Sequence, residues 1–388
     1  MALKTYIGIN GAACRVKKAY IGVNGKACRI RKAYIGVGGL ARPLWFGYLE
    51  YYGVLEDKLS LTVNNLAATT AANTKAFFAG GESATRYNDA VDTYSRSLSR
   101  QTAPSKLTDA RANLAATSIS SYALFAGGNV GSGSNIVSLK TVDAYNTGLS
   151  KTTPNPLNSA RYNLAATTLN NLVLFGGGQT NPDTASSLVD LYNASTTKLS
   201  YTNYLSEARH SLAATSIGNY AIFGGGYSIS NGSASNKIDV INSSATNVSV
   251  STSLSIARFG LAATSLGDLA FFAGGRIRDN YTDPGRKNIV DIFDASLTRI
   301  RSTELSAARY DLAATSIGDY VIFGGGDGGS VGARTVDVFD TSMTRVSTYI
   351  SLRNFTSNRN GLAATTIGDF ALFGGGNYAN DVEAYIAP

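Results

Sequence analysis

Residues 309–326 read RYDLAATSIGDYVIFGGG, and this stretch decides the fold. Leu-Ala-Ala-Thr occurs seven times, starting at Leu66, Leu114, Leu164, Leu212, Leu261, Leu312 and Leu362. The second glycine of a Gly-Gly pair lies fourteen residues beyond each leucine (fifteen in the first copy), from Gly81 to Gly376. A variable stretch comes next, and then a hydrophobic–acidic motif: VDTY at 91, VDAY at 142, VDLY at 189, IDVI at 238, VDIF at 290, VDVF at 336 and VEAY at 382. A repeat of about 50 residues that holds several short strands predicts a β-propeller blade.

Four strands fit each copy. In the sixth, strand a is expected at 311–317, strand b at 320–324, strand c at 335–339 and strand d at 344–348. No segment sustains helical periodicity, so the fold class is all-β: a seven-bladed propeller over 49–388. Innermost strands crowd around the axis, which accounts for the small Ala-Ala pair, and the glycine pairs let the chain leave strand b at unusual angles. For ring closure, KLSLT (58–62) reads as a strand d that completes the last blade, while Leu49–Tyr52 also has strand character.

The registered Gly-Gly and the strand-c aromatics Tyr94, Tyr145, Tyr192 and Phe339 resemble those of kelch-type propellers across 49–388. The tryptophan usual in kelch strand d is missing; the only one is Trp45. Arginine stands three residues before six of the seven repeats: Arg111, Arg161, Arg209, Arg258, Arg309 and Arg359, with Val63 in the first. The resemblance implies that such arginines line a partner-binding face. The residues themselves leave a second reading open, because strand c carries a matching acidic series: Asp92, Asp143, Asp190, Asp239, Asp291, Asp337 and Glu383. Arg–Asp pairs between the two would lock the blades together. The b–c loops share that face and vary most, as a scaffold's binding loops do. Tyr87, Tyr227, Tyr281, Tyr378, Arg276, Arg278 and Arg286 give them aromatic and cationic tips suited to a ligand.

Composition narrows the chemistry. One histidine, two cysteines and two methionines in 388 residues leave little for histidine-based catalysis, zinc or disulfide scaffolds. His210 takes the repeat position of Tyr162 and Tyr310, so it reads as a variant of that column, not a general base. The loop acids Asp279, Asp283 and Asp327 lack EF-hand spacing. No catalytic residue, metal or cofactor is expected, and Asn242-Ser243-Ser244 is a sequon only in a secretory setting.

The formal charge of +8 has one source. Residues 1–48 contain nine basic residues and no acid, whereas the remaining 25 basic residues face 26 acids. This basic piece is three 14-residue repeats from Lys4, Lys18 and Lys32, each a strand–turn–strand with Asn10-Gly11, Asn24-Gly25 or Gly38-Gly39 at the turn. An isolated hairpin is marginal in water, so the three are expected to share a sheet or pair with another chain, which allows a homo-oligomer. Lys17, Lys18, Arg29, Arg31 and Lys32 cluster between hairpins, where they protect edges or dock onto an acidic partner. No aromatic platform accompanies them, which argues against nucleic acid. Cys14 and Cys28 occupy equivalent repeat positions and are expected as free, packed thiols, with a disulfide as the alternative if the repeats are neighbours.

No apolar run reaches membrane-spanning length, and the first twenty residues carry no apolar signal core. The YIGVNG hairpin repeats and LAATSIGDYAIFGGG-style blades are similar to those in proteins of phages and prophages of Gram-positive, clostridia-like bacteria. That resemblance implies a non-enzymatic virion protein, made in the host cytoplasm and released by lysis. Residues 1–48 would dock onto other virion proteins, and the propeller loops would bind a host-surface glycan or protein. The alternatives are a collar or capsid decoration protein and an intracellular interaction hub.

Overall fold

The computed structural model describes 49–387 apart from 200–202, 280–283 and 347–352, together with the strands of three N-terminal hairpins. Those hairpins pair Tyr6–Ile9 with Ala12–Arg15, Ala19–Val23 with Lys26–Ile30, and Lys32–Val37 with Leu40–Phe46. Each forms a separate two-stranded sheet, and the register (Ile9 opposite Ala12, Val23 opposite Lys26) leaves two residues for the turn. The side chains of this region, including the docking candidates Lys17, Lys18, Arg29, Arg31 and Lys32 and both cysteines, lie outside the described residues.

The remainder is a seven-bladed β-propeller with almost no helix. In the fifth blade, strand a is Ala262–Leu266, b is Leu269–Ala273, c is Ile289–Phe293 and d is Arg299–Glu304, each antiparallel to the next. The other blades repeat this order. In the sixth, strand c is Val336–Asp340, and the fourth strand begins where Arg345 bridges Phe339 before the chain leaves the described residues. The a strands contact one another all round the axis, blade 7 touching blade 1.

The ring closes differently from the expectation. The strand completing blade 7 is Glu50–Val54, paired with Val382–Ile386, and not 58–62. The Tyr51 hydroxyl donates to Glu383 at 2.7 Å, which fastens the join. Residues 58–62 belong to the connection into blade 1, where Leu59 is buried and its N–H donates to the Asn380 carbonyl. Leu59 stands seven residues before Leu66, as Leu107, Leu157, Leu205, Leu254, Leu305 and Phe355 stand before their own leucines, and all seven are buried. Packing therefore assigns KLSLT to the connector column.

The core consists of seven layers between neighbouring blades. One layer joins Phe77 and Ala79 of blade 1 to Phe125 and Tyr145 of blade 2. Strand b is buried on both faces in every blade, and removing one such phenylalanine from water contributes about 1.5–3 kcal/mol. Among the described residues no helix is long and apolar enough to cross a membrane.

Candidate binding face and its axial pit

Strand d connects to the next strand a on the face that also carries the b–c loops. Each connector begins with the buried Leu or Phe just named, and the residue after it donates its N–H to the strand-c acid of the blade it enters. Ser60 bonds Asp92, Thr108 bonds Asp143, Asn158 bonds Asp190 and Ser206 bonds Asp239. The same contact joins Ser255 to Asp291, Ser306 to Asp337 and Thr356 to Glu383.

Three residues further on come the arginines. Arg111, Arg161, Arg209, Arg258, Arg309 and Arg359 are all 0% exposed, so they do not form part of the surface offered to a ligand. Each reaches the same acid at 2.5 to 3.0 Å. Five also donate to the carbonyl of a strand-b phenylalanine, such as Phe125 or Phe323. The arginine column is thus a buried belt that pins each connector into the next blade. Burial lowers the affinity of Arg111 for its proton, and Asp143 counteracts this. Burial alone would raise the Asp143 carboxyl, but Arg111 and Thr108 hold it below the ordinary range.

The glycine pairs complete the belt. The N–H of every second glycine donates to the backbone carbonyl at the arginine position of the next blade, from Gly81 to Arg111 round to Gly376 and Val63. Val63 thus keeps the backbone role without the charge, and Asp92 is paired instead with Arg100 of strand d at 2.9 Å. Gly325, at φ +65°, shows why glycine is used: a Cβ there would lie 2.5 Å from the Arg359 carbonyl oxygen.

Above the belt lies an inner ring, formed by the residue before each Leu-Ala-Ala-Thr: Asn65, Asn113, Asn163, Ser211, Gly260, Asp311 and Gly361. All seven have positive φ, between 51° and 63°. Backbone N–H groups donate to the preceding blade's carbonyl, as from Asn113 to Asn65 and from Asp311 to Gly260, and from Asn65 to Gly361 across the closure. With the leucines beneath, this ring walls an axial pit of ≈470 Å³ that is also lined by Phe259 and Arg276.

The pit has two unlike sides. Behind one, His210, Tyr227 and Phe259 pack ring to ring, at 5.6 and 5.0 Å between neighbours, and of the three Phe259 lines the pit. The Arg276 guanidinium follows, held between Phe259 and Tyr310 at 4.6 and 4.5 Å from their centroids. The opposite side carries carboxamides: Asn65 donates to Glu82 at 3.0 Å and Asn113 to Asn129 at 2.9 Å. Desolvation holds His210 down to about 4. Asp311 is the exception in the ring: the residue is exposed, yet desolvation within the pit pushes its carboxyl up to about 6, Arg276 opposing and nearby Asp327 adding to the rise.

The loop residues read as candidates are not brought to one point. Tyr87 is half-buried and donates to the Gly131 carbonyl at 2.6 Å, Tyr227 is half-buried in the aromatic row, and Arg276 is largely enclosed. Arg278 and Tyr378 are exposed, Arg286 pairs with Asp327 at 2.8 Å, and Tyr281 lies outside the described residues. Asp279 pairs with Arg276, whereas Asp283 lies outside the described residues. The inner-ring residues are not among the sequence candidates, and of the residues that follow the glycine pairs only Tyr227, Arg276 and Asp327 are. Both are fixed columns of the repeat whose identities change from copy to copy, and that variability was the available signal.

No family model matches the chain, and no curated protein matches it. Solved structures do match. One, titled "Structure of YjhT", aligns with a TM-score of 0.56 at 11% identity, covering 75% of this chain and 98% of that one. The likeness is one of fold. It supports the propeller assignment reached from the repeats.

Proposed function

We propose that this protein is a non-enzymatic virion component that uses the loop face of its propeller to bind a ligand on the host-cell surface, while residues 1–48 dock it to other virion proteins. The observation that carries the binding part is a division of labour between columns. Every residue type repeated seven times on this face is spent on the frame, and the chemically individual side chains gather around the pit and its loops. A frame with a variable, concave mouth is the usual arrangement of a binding site. Localisation to a particle rests on the resemblance of the hairpin and blade repeats to phage sequences. Nine basic residues without an acid suit docking onto an acidic surface. Several copies on one particle would multiply weak individual contacts.

The test is immunogold labelling of purified particles, paired with binding of the fluorescent full-length chain to host cells. Label at the tail tip or baseplate together with cell staining is the expected result. Label confined to the head or collar without staining would replace adhesion with decoration. No label on any particle would overturn the virion assignment.

A further inference from the structure

Among the described residues, Asp311 is the one carboxylate at the pit without a direct hydrogen bond or ion pair; Arg276, in the same lining, acts on it only through space. Arg276 meets Asp279 through one nitrogen at 3.1 Å, its other two nitrogens finding no partner among the described residues; Arg286 is engaged by Asp327 at 2.8 Å, and Glu82 accepts from Asn65. Among the described residues neither a hydrogen bond nor an ion pair reaches the Asp311 carboxylate. It lies over Gly260, where a Cβ would come within 2.7 Å of its Oδ1, so the missing side chain in the neighbouring blade is what gives this carboxylate room.

The amides across the pit are oriented by the same kind of contact. Asn65 and Asn113 each turn one amide N–H outward, to Glu82 and Asn129. Among the described residues no donor reaches their carbonyl oxygens. The pit therefore presents the three amide oxygens of Asn65, Asn113 and Asn163, the Ser211 hydroxyl (already bonded to His210 Nδ1 at 3.0 Å) and the Asp311 carboxylate, together with the free amide N–H groups, while the Arg276 guanidinium is part of the same lining.

We infer that the axial pit holds one sugar residue bearing a free ammonium group, with Asp311 as its counter-charge and Asn65, Asn113 and Ser211 bonding its hydroxyls. This deepens the proposed function and rests on it for the biological source of the sugar. A volume of ≈470 Å³ suits a ring-sized guest and is too wide for a lone ion to be held by one carboxylate. A sugar both donates and accepts, so it satisfies the amide N–H groups as well as the oxygens. A lysine tip only donates and would leave those N–H groups unpaired, at the cost that attends any desolvated donor without an acceptor.

The experiment titrates the full-length chain with a fully deacetylated glucosamine oligomer, the N-acetylated oligomer of the same length, and a lysine-containing peptide. The deacetylated oligomer is expected to bind at least tenfold tighter than the other two. Asp311→Asn is expected to lose at least tenfold of that affinity. Asparagine stands at the equivalent position in three blades, so this variant is compatible with the fold, and an unchanged melting curve checks it. Equal binding of both oligomers, tighter binding of the peptide, or full affinity in Asp311→Asn would overturn the assignment. Competition on host cells separates the two levels: staining that the deacetylated oligomer leaves unchanged overturns the sugar and keeps the adhesive reading. Absence of staining with intact oligomer binding does the reverse.

Discussion

The arginine belt and the pit ring lie a few residues apart on one face, and they obey opposite rules. In the belt, six of seven copies hold the same buried Arg–carboxylate pair, and the seventh recovers its acid with a strand-d arginine. In the ring, the backbone repeats with the same positive φ in all seven blades, but the side chains run through Asn, Ser, Gly and Asp. The difference teaches where the repeat is constrained. A buried charge demands its partner in every blade, because losing one side strands the other in a low-dielectric layer. A ring held by main-chain hydrogen bonds sets no such demand, so its side chains are free to diverge toward a ligand.

The sharpest way to break this comparison is to remove one belt arginine. Arg309→Ala leaves Asp337 buried with only the Ser306 N–H and a part-exposed Arg345 at 3.4 Å to offset it, and the expected loss is about 3–5 kcal/mol of stability by denaturant titration. Arg100→Ala, which uncovers Asp92 at the copy where the belt is already broken, is expected to cost roughly 1 kcal/mol, since Arg100 is partly exposed. Equal losses would mean that the belt is not special. Nor is the pairing a simple gain: the Nε of each belt arginine finds no partner among the described residues.

The backbone half of the belt can be tested separately. Gly325→Ala forces a side chain onto the Arg359 carbonyl at φ +65°, and the expected cost is about 1–3 kcal/mol, without any change of charge. Gly329→Ala also sits at positive φ, at +68°, but meets nothing within 4 Å, so it isolates the conformational part of that cost. A Gly325→Ala loss no larger than that of Gly329→Ala would show that the inter-blade approach is looser than its distances imply.

The sequence made the frame legible because the frame is what repeats. Leu-Ala-Ala-Thr, Gly-Gly and the strand-c acids set blade number and strand order, and strand b of blade 6 falls at the expected residues 320–324. The closing strand was not legible. EYYGV and KLSLT both have strand-like composition, and only the long-range pairing of Glu50–Val54 with the C-terminal strand decides between them. Nor could spacing say whether Arg309 points outward or inward, because a column in an alignment carries no direction. The pit escaped for the opposite reason: its ring position has no constant residue for the eye to catch.

The smallest expected effect separates the two regions by pH. Asp143 and Asp291 are held below the ordinary carboxylate range, burial being outweighed by Arg111 and Arg258 and by hydroxyl and amide donors. Their stabilisation is present at neutral pH and is lost as pH falls through and below the range where an unfolded aspartate titrates, about 3.9. Asp311 has the opposite sign. Its carboxyl titrates at about 6, so what it contributes is present below the unfolded value and is lost as pH rises through 6. At pH 7 the charged group therefore weighs slightly against folding, by roughly a few tenths of a kcal/mol given its access to solvent. Asp311→Asn should match or exceed the parent protein in melting temperature at pH 7, and that advantage should shrink as pH falls toward 4. Asp143→Asn should be far less stable at pH 7, and its deficit should narrow only in acid. A stability loss at pH 7 in Asp311→Asn would show that this carboxylate belongs to the frame after all, and that the pit is no more free to vary than the belt below it.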